Sequence, residues 1–169
     1  MMIQIIEGIK DLIKYIIVIV IIILLRIYVL TTAQVVGTSM EPNLIEGNIM
    51  LVEQLSARFD KLKRFDVVAF AYSNNQPHLI KRIIGLPGET IKYVDNQFYI
   101  NGEMIEENFK VIGEVEDFEI IVEEDAYFVL GDNREVSVDS REFGAITKDK
   151  IVGKAFMVVW PIKRIKIVK

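Results

Sequence analysis

The segment LIKRIIGLPG, residues 79–88, has the apolar pattern of a buried β-strand and ends in a Pro-Gly turn. Lys81 interrupts this strand, and the two-residue period of a strand places it on one face with Leu79 and Ile83. Burial on that face would remove water from the ammonium group and lower its pKa, as a lysine base requires near neutral pH. The alternative is a lysine at a strand edge whose ammonium group reaches solvent.

A second segment, VGTSMEP at residues 36–42, offers a nucleophile in a predicted turn. Ser39 lies there between Gly37 and a proline, although a serine in such a place is usually only a turn residue. The chain has no cysteine and one histidine, His78, which excludes cysteine nucleophiles and multi-histidine zinc sites. His78 lies three residues before Lys81, on the opposite face of the strand, and is interpreted as an incidental surface residue. What remains is a serine activated by a lysine.

A third segment, GDNREVSVDSR at residues 131–141, carries a hydroxyl beside an ion pair. In an extended chain, Ser137, Asp139 and Arg141 would share one face. Asp139 and Arg141 are interpreted as structural. Ser137 either orients the lysine amine through a hydrogen bond or belongs to a charge-paired strand end.

The residues after position 33 show β patterning with short turns. Asp95-Asn96 and Asn101-Gly102 are strong hairpin signals. The acidic segment 111–125 is interpreted as a solvated strand pair, in preference to a metal site. These patterns predict a mainly β, mostly antiparallel domain, with strands at 48–54, 66–72, 78–84, 90–94, 97–100, 127–130 and 154–160.

The N-terminal region contains one long apolar stretch, residues 15–33, with Arg26 as its single charge. At the helical rise it is about one hydrocarbon thickness long, which predicts a transmembrane helix. A cleavable signal peptide is the alternative, because the uninterrupted apolar run is short. Lys10 and Lys14 precede the stretch and no basic residue follows it until Arg58, so residues 1–14 are predicted to be cytoplasmic. Residues 34–169 are then an extracytoplasmic domain at the cell membrane.

The charge balance limits the possible partners of that domain. After the apolar stretch the chain has 17 Lys plus Arg against 22 Asp plus Glu, which makes a nucleic-acid partner improbable. The end of the chain, residues 163–169, is locally basic. It is interpreted as a solvated terminal strand, with contact to lipid headgroups as the alternative.

Taken together, these segments resemble the type I signal peptidases, membrane-anchored Ser/Lys proteases of bacteria. The shared features are an N-terminal anchor and, in the family's order, the motifs G-x-S-M-x-P, K-R-I-I-G-L-P-G-E and G-D-N-x-x-x-S-x-D-S-R. The resemblance implies the signal-peptidase fold, with a small variable insertion at about 90–128, as in compact Gram-positive enzymes. It implies that Ser39 is the nucleophile, Lys81 the general base and Ser137 the hydroxyl that positions Lys81. It also implies a group of supporting ionic residues, which are Arg82, Asp132, Asp139 and Arg141.

One position departs from part of the family. Some members carry a serine two residues before the nucleophile, and its hydroxyl helps to form the oxyanion hole. That position is Gly37 here. The backbone N–H of Ser39 is then the expected oxyanion donor, and the Gly37 region must supply any second donor.

The resemblance further implies hydrolysis of exported preproteins after small residues, typically Ala-x-Ala, with neither metal nor organic cofactor. It places the enzyme at the lipid bilayer, near the secretion translocon. Two alternatives stay open. One is a Ser/Lys autoprotease of the repressor type, which would have a DNA-binding domain in place of the anchor. The other is a non-enzymatic assembly factor for surface fibres, which would have lost catalytic residues.

Overall fold

The computed structural model describes residues 2–72 and 78–168 of the chain. It begins with helix α1, Met2–Tyr28, whose large apolar side chains between Leu12 and Leu25 are exposed. No helix in these two described ranges has the length and apolar content that crossing a membrane requires. The predicted continuation of the helix to residue 33 is wrong. Leu30–Gln34 forms strand β1 instead, because its backbone pairs with strand β2, Ile49–Glu53.

An eight-stranded antiparallel sheet forms the main body of the described domain. Besides β1 and β2, its strands are β3, Val67–Phe70; β4, Leu79–Gly85; β9, Ala126–Leu130; β10, Ile146–Thr147; β11, Ile151–Trp160; and β12, Lys166–Ile167. The strand order is β1, β2, β11, β3, β4, β9 and β10, with β12 paired to the second half of β11. Strand β4 lies between β3 and β9, so its backbone is hydrogen-bonded on both sides.

A smaller four-stranded sheet is inserted between β4 and β9. It has the order β7, β6, β5 and β8, and these strands are Glu103–Ile105, Gln97–Ile100, Thr90–Val94 and Phe118–Ile121. Both predicted hairpin turns are confirmed. Asp95, Asn96, Asn101 and Gly102 all have positive φ, as a two-residue hairpin turn with the twist of its strands requires.

Short helices connect the remaining strands. Helix α2, Leu55–Arg58, follows β2, and helix α3, Ser140–Phe143, begins within the last two residues of the third motif. All seven predicted strands are present, with ends displaced by a few residues. The acidic segment 111–125 differs from the prediction, because it forms one strand, β8, that pairs with β5 rather than with another part of the segment. The basic C-terminus includes the short exposed strand β12.

Within the described ranges, the buried apolar residues form three clusters around the two sheets. One of them packs β1, β2, β3 and β11 against the turn that carries Ser39, through Met40 and Leu44. A second fills the space between the small sheet and β9. The side chains of Met40 and Leu44 therefore hold the turn after β1 against the core, and the neighbouring Ser39 lies at the surface of that core.

Candidate active site

Lys81 lies in the middle of β4, where its backbone is paired with Val68 of β3. Lys81 is 3% exposed, so the alternative of a strand-edge lysine whose ammonium group reaches solvent is wrong. The ammonium nitrogen Nζ donates a hydrogen bond to Ser39 Oγ over 2.6 Å. Two residues that are 42 positions apart in the sequence thus form a Ser/Lys pair.

Burial lowers the pKa of Lys81 from 10.5 to about 8, because the ammonium group loses its hydration. The Asp139 and Asp132 carboxylates oppose this change, and the Arg141 guanidinium adds to it. A substantial fraction of the amine is therefore neutral at slightly alkaline pH. In that state the nitrogen can accept the proton of the Ser39 hydroxyl.

The Ser39 turn is held by backbone hydrogen bonds on both sides. Within the turn, the Glu41 N–H donates to Thr38 O over 3.1 Å, and the Leu44 N–H donates to Met40 O over 2.8 Å. From the third motif, the Asn133 N–H donates to Ser39 O over 3.0 Å. The nucleophile candidate is thus tied through its own carbonyl to the segment that follows β9.

Ser137 is buried, and its Oγ makes no hydrogen bond within the described part of the chain. It lies beside the Ser39 turn nonetheless. A Cβ added to Gly131 would lie 2.2 Å from Ser137 Oγ and 2.5 Å from Ser39 O. Only a glycine at position 131 allows this close approach. The role of Ser137 as a partner of Lys81 stays a prediction.

Arg82 and Asp132 form a fully buried ion pair on the other face of β4. Arg82 Nε and Nη2 each donate to one Asp132 oxygen over 2.7 Å. Arg82 Nη1 also donates to Phe65 O, and the guanidinium carbon lies 3.9 Å from the centre of the Phe109 ring. The pair joins the centre of β4 to the start of the third motif.

Asp139 and Arg141 form a second paired group within that motif. Both nitrogens Nε and Nη2 of Arg141 donate to the Asp139 carboxylate, over 2.8 and 2.9 Å. Asp139 also accepts the Gly131 N–H over 3.0 Å and caps helix α3. Arg141 donates onward to the carbonyls of Arg134 and Ser137. The pair therefore fixes the loop that brings Ser137 beside Gly131.

Gly37 adopts φ +78, a left-handed conformation that favours glycine. Its N–H donates to Glu46 Oε1 over 3.2 Å. By contrast, no hydrogen bond from the Ser39 N–H occurs among the residues that the structure describes. Of the two predicted oxyanion donors, the Ser39 N–H is free for a ligand, and the Gly37 N–H already has an acceptor.

Two adjoining cavities reach Ser39 and Lys81. The larger, of about 630 Å³, has apolar walls that include Val36, Tyr72, Val136 and Val138. The smaller, of about 300 Å³, is lined by Val35, Met40, Ile80 and also by His78, which is exposed. His78, interpreted from the sequence as an incidental surface residue, directly precedes β4 and lines this cavity.

Sequence reasoning missed several residues of the network. The Arg134 side chain is buried, donates to Gly131 O and forms an ion pair with Glu107. Ser140 accepts the Val129 N–H, and Asn43 donates to Asp132. Arg134 and Ser140 lie inside the third motif, so their position in that motif could have identified them as candidates. Asn43 follows the nucleophile motif directly, and nothing in its neighbourhood distinguishes it from a turn residue.

The family model described as "Signal peptidase, peptidase S26" matches residues 9–160 of the chain. The chain belongs to this signal peptidase family. Signal peptidase I V of Bacillus subtilis is 44% identical over 135 residues, covering 71% of this chain and 80% of its own. Signal peptidase I of Bacillus caldolyticus is 36% identical over 155 residues, covering 83% and 85%.

A solved structure gives the same result for the fold. The crystal structure of a signal peptidase I from Enterococcus faecalis is 38% identical, with a TM-score of 0.50, over 56% of this chain and 96% of that one. The chain is therefore a serine peptidase with signal peptidase function, and signal-peptide-bearing preproteins are the substrate class. The autoprotease and assembly-factor alternatives are not favoured by these matches.

Proposed function

We propose that Ser39 is the nucleophile and Lys81 the general base of this signal peptidase. The observation that carries the proposal is the 2.6 Å distance between Lys81 Nζ and Ser39 Oγ, at a lysine whose pKa burial lowers to about 8. The neutral amine takes the hydroxyl proton while Oγ attacks the scissile carbonyl carbon. The tetrahedral intermediate collapses, the peptide C–N bond breaks, and the new ammonium group returns its proton to the leaving amine.

The second half of the reaction uses the same two residues. Neutral Lys81 removes a proton from water, the resulting hydroxide attacks the ester carbonyl, and the Lys81 ammonium returns the proton to Ser39 Oγ as the ester bond breaks. The oxyanion of both tetrahedral intermediates accepts a hydrogen bond from the Ser39 N–H. A single donor of this type is worth about 3 kcal/mol in the transition state. The Gly37 N–H donates to Glu46, so it can bind the oxyanion only after that hydrogen bond breaks. The second oxyanion donor is therefore the Gly37 N–H, once released, or a water molecule.

The apolar walls of the two cavities support cleavage after small residues. Val36, Leu79 and Val136 line the space next to Ser39, and the charged side chains that line the same cavity are Lys81 and Glu142. A substrate segment of the Ala-x-Ala type buries small apolar side chains there without leaving a polar group unpaired. No cofactor takes part in either step.

We also propose that α1 anchors the domain to the lipid bilayer, with residues 1–14 in the cytoplasm and residues 34–169 outside. The support is the run of exposed apolar side chains from Leu12 to Leu25, since water disfavours so large an apolar surface. Lys10 and Lys14 at its N-terminal end give the orientation. The catalytic site would then stand close to the translocon, where exported chains emerge.

The proposed chemistry is tested by incubating the purified chain with a preprotein in detergent and sequencing the new N-terminus of the product. Ser39→Ala should abolish cleavage, whereas Thr38→Ala, a matched control in the same turn, should retain it. Cleavage by Ser39→Ala at a rate near wild type would show that the nucleophile is another residue. Absence of cleavage in the wild type would favour the non-enzymatic assembly factor.

The proposed topology is tested separately, by adding protease to right-side-out vesicles. Residues after about position 35 should be digested or labelled, and residues 1–14 should be protected. A mature protein that begins near residue 34 would instead indicate a cleaved signal peptide. Full accessibility of both ends would rule out a single crossing.

A further inference from the structure

Asn43 lies four residues after Ser39, and its side chain connects the Ser39 turn to two other parts of the domain. Its amide Nδ2 donates to Asp132 Oδ2 over 2.8 Å and to Lys110 O over 2.7 Å. Its own carbonyl accepts a hydrogen bond from Lys166 Nζ in β12. Both hydrogens of the amide are thus in use, and we propose that Asn43 is a positioning residue that holds the nucleophile Ser39 in register with Lys81.

The connection starts from the buried carboxylate of Asp132. Asp132 is fully buried, and both of its oxygens are held by Arg82, which belongs to the same strand as Lys81. One further acceptor position on Oδ2 is taken by the Asn43 amide. The place of Asn43 is therefore defined relative to β4, the strand from which Lys81 projects.

The connection reaches Ser39 through a short segment held at both ends. At one end the Asn133 N–H donates to Ser39 O over 3.0 Å, and at the other end Asp132 accepts from Asn43. Asp132 and Asn133 are adjacent, so one pair of residues holds both ends of the Ser39–Asn43 segment. The Leu44 N–H to Met40 O bond follows directly after Asn43. Loss of the Asn43 side chain would remove the link from this end to Asp132, and would leave the end held by the Lys166 contact to the Asn43 carbonyl and by the Leu44 bond.

The chemistry of the contact explains why an asparagine stands here. Asp132 Oδ2 and Lys110 O are both acceptors, so the side chain between them must donate twice, which a primary amide does. An aspartate has the same shape but no donor when ionised, and it would set a second carboxylate against Asp132. An alanine removes the donor without adding charge. Asn43 is only partly buried, so the fold has room to tolerate both replacements.

The inference rests on the proposed roles of Ser39 and Lys81, and the experiment separates the two ideas. Purified wild type, Asn43→Ala, Asn43→Asp and the control Asn108→Ala are acylated with an activated p-nitrophenyl ester, and the burst of nitrophenol counts competent sites. Asn108 is an exposed neighbour that lines the same surface cavity as Asn43. Mass spectrometry locates the acyl group. A wild type that is not labelled on Ser39 would overturn the proposed function itself.

For a positioning role, kcat for preprotein cleavage, divided by the number of titrated sites, should fall about tenfold in Asn43→Ala while KM stays within about twofold, because small misplacement of a nucleophile costs rate rather than binding. Asn43→Asp should be worse than Asn43→Ala. If Asn43 only fills space, its isostere Asn43→Asp should be the better of the two, and the number of titrated sites should fall while kcat per site stays constant. Either result, or a kcat per site equal to that of Asn108→Ala, would overturn the inference.

Discussion

Lys81 and Arg82 are adjacent cations in β4 that face opposite sides of the sheet, and both are buried. Arg82 meets a carboxylate that takes two hydrogen bonds from it. The Lys81 ammonium instead donates to a hydroxyl, and the carboxylates of Asp139 and Asp132 act on it only through space. Arg82 is neutralised by its bound carboxylate, whereas Lys81 can avoid the cost of a buried charge only by losing its proton.

This difference assigns a separate task to each face. A guanidinium cannot deprotonate in the physiological range, so a buried Arg82 requires its carboxylate and serves as a fixed structural link. An amine can deprotonate, so a buried Lys81 becomes a base. Neighbouring positions of one strand thus supply stability on one face and chemistry on the other. The predictions below test that division.

The largest effect is expected from removal of the Lys81 amine. Lys81→Met should lower kcat/KM for preprotein cleavage by about 10⁴-fold or more, because among the described residues only Lys81 forms a hydrogen bond with Ser39 Oγ. Lys81→Arg should be equally inactive although it keeps the positive charge. Initial rates of both variants would be compared with wild type at pH 7 to 10. An active Lys81→Arg variant would contradict the Ser/Lys mechanism.

The next effect concerns the opposite face. Arg82→Met should destabilise the domain by about 3–5 kcal/mol, because it leaves Asp132 buried without its cation. Chemical denaturation measures the loss. A fitting control is Arg64→Met, whose partner Glu89 is 15% exposed against 0% for Asp132, and which should therefore cost less. Equal losses in the two variants would mean that burial does not separate these pairs.

A third effect links the Lys81 pKa to stability. The unfolded lysine binds its proton more tightly than the folded one, so the folded state carries a penalty of about 3 kcal/mol below pH 8, from the shift between 10.5 and about 8. Stability should rise with pH as the penalty fades between these two values. Lys81→Met lacks the penalty, so its free energy of unfolding should exceed that of wild type at pH 7. A difference that does not shrink by pH 10 would argue against a depressed pKa.

The smallest effect is expected at Ser137, which lies beside Gly131 and the Ser39 carbonyl and whose Oγ has no hydrogen-bond partner in the described chain. Ser137→Ala should reduce cleavage by about 10- to 100-fold, since water can partly replace an orienting hydroxyl. Its thermal stability should stay the same or rise, because an unsatisfied buried hydroxyl is removed. A loss as large as that of Lys81→Met would make Ser137 part of the proton transfer itself.

How far the sequence predicted this site can be judged from individual residues. Lys81 could be predicted, because a lysine within an apolar strand points to burial and burial points to a lowered pKa. The hairpin turns at Asp95-Asn96 and Asn101-Gly102 could be predicted, because their residue types tolerate positive φ. Strand β1 could not, because residues 30–33 are the end of the stretch predicted as a transmembrane helix, and only pairing with β2 makes Leu30–Gln34 a strand.

The amino-acid sequence by itself determined the family, the β character of the domain and the residue types of the Ser/Lys pair, because these depend on local patterns and on motifs about ten residues long. Only the tertiary structure decided that Lys81 Nζ lies 2.6 Å from Ser39 Oγ, that Glu46 occupies the Gly37 N–H, and that Asn43 joins the turn to Asp132. The physical reason is distance along the chain. Asn43 and Asp132 are 89 positions apart, so their contact depends on how the strands pair and pack.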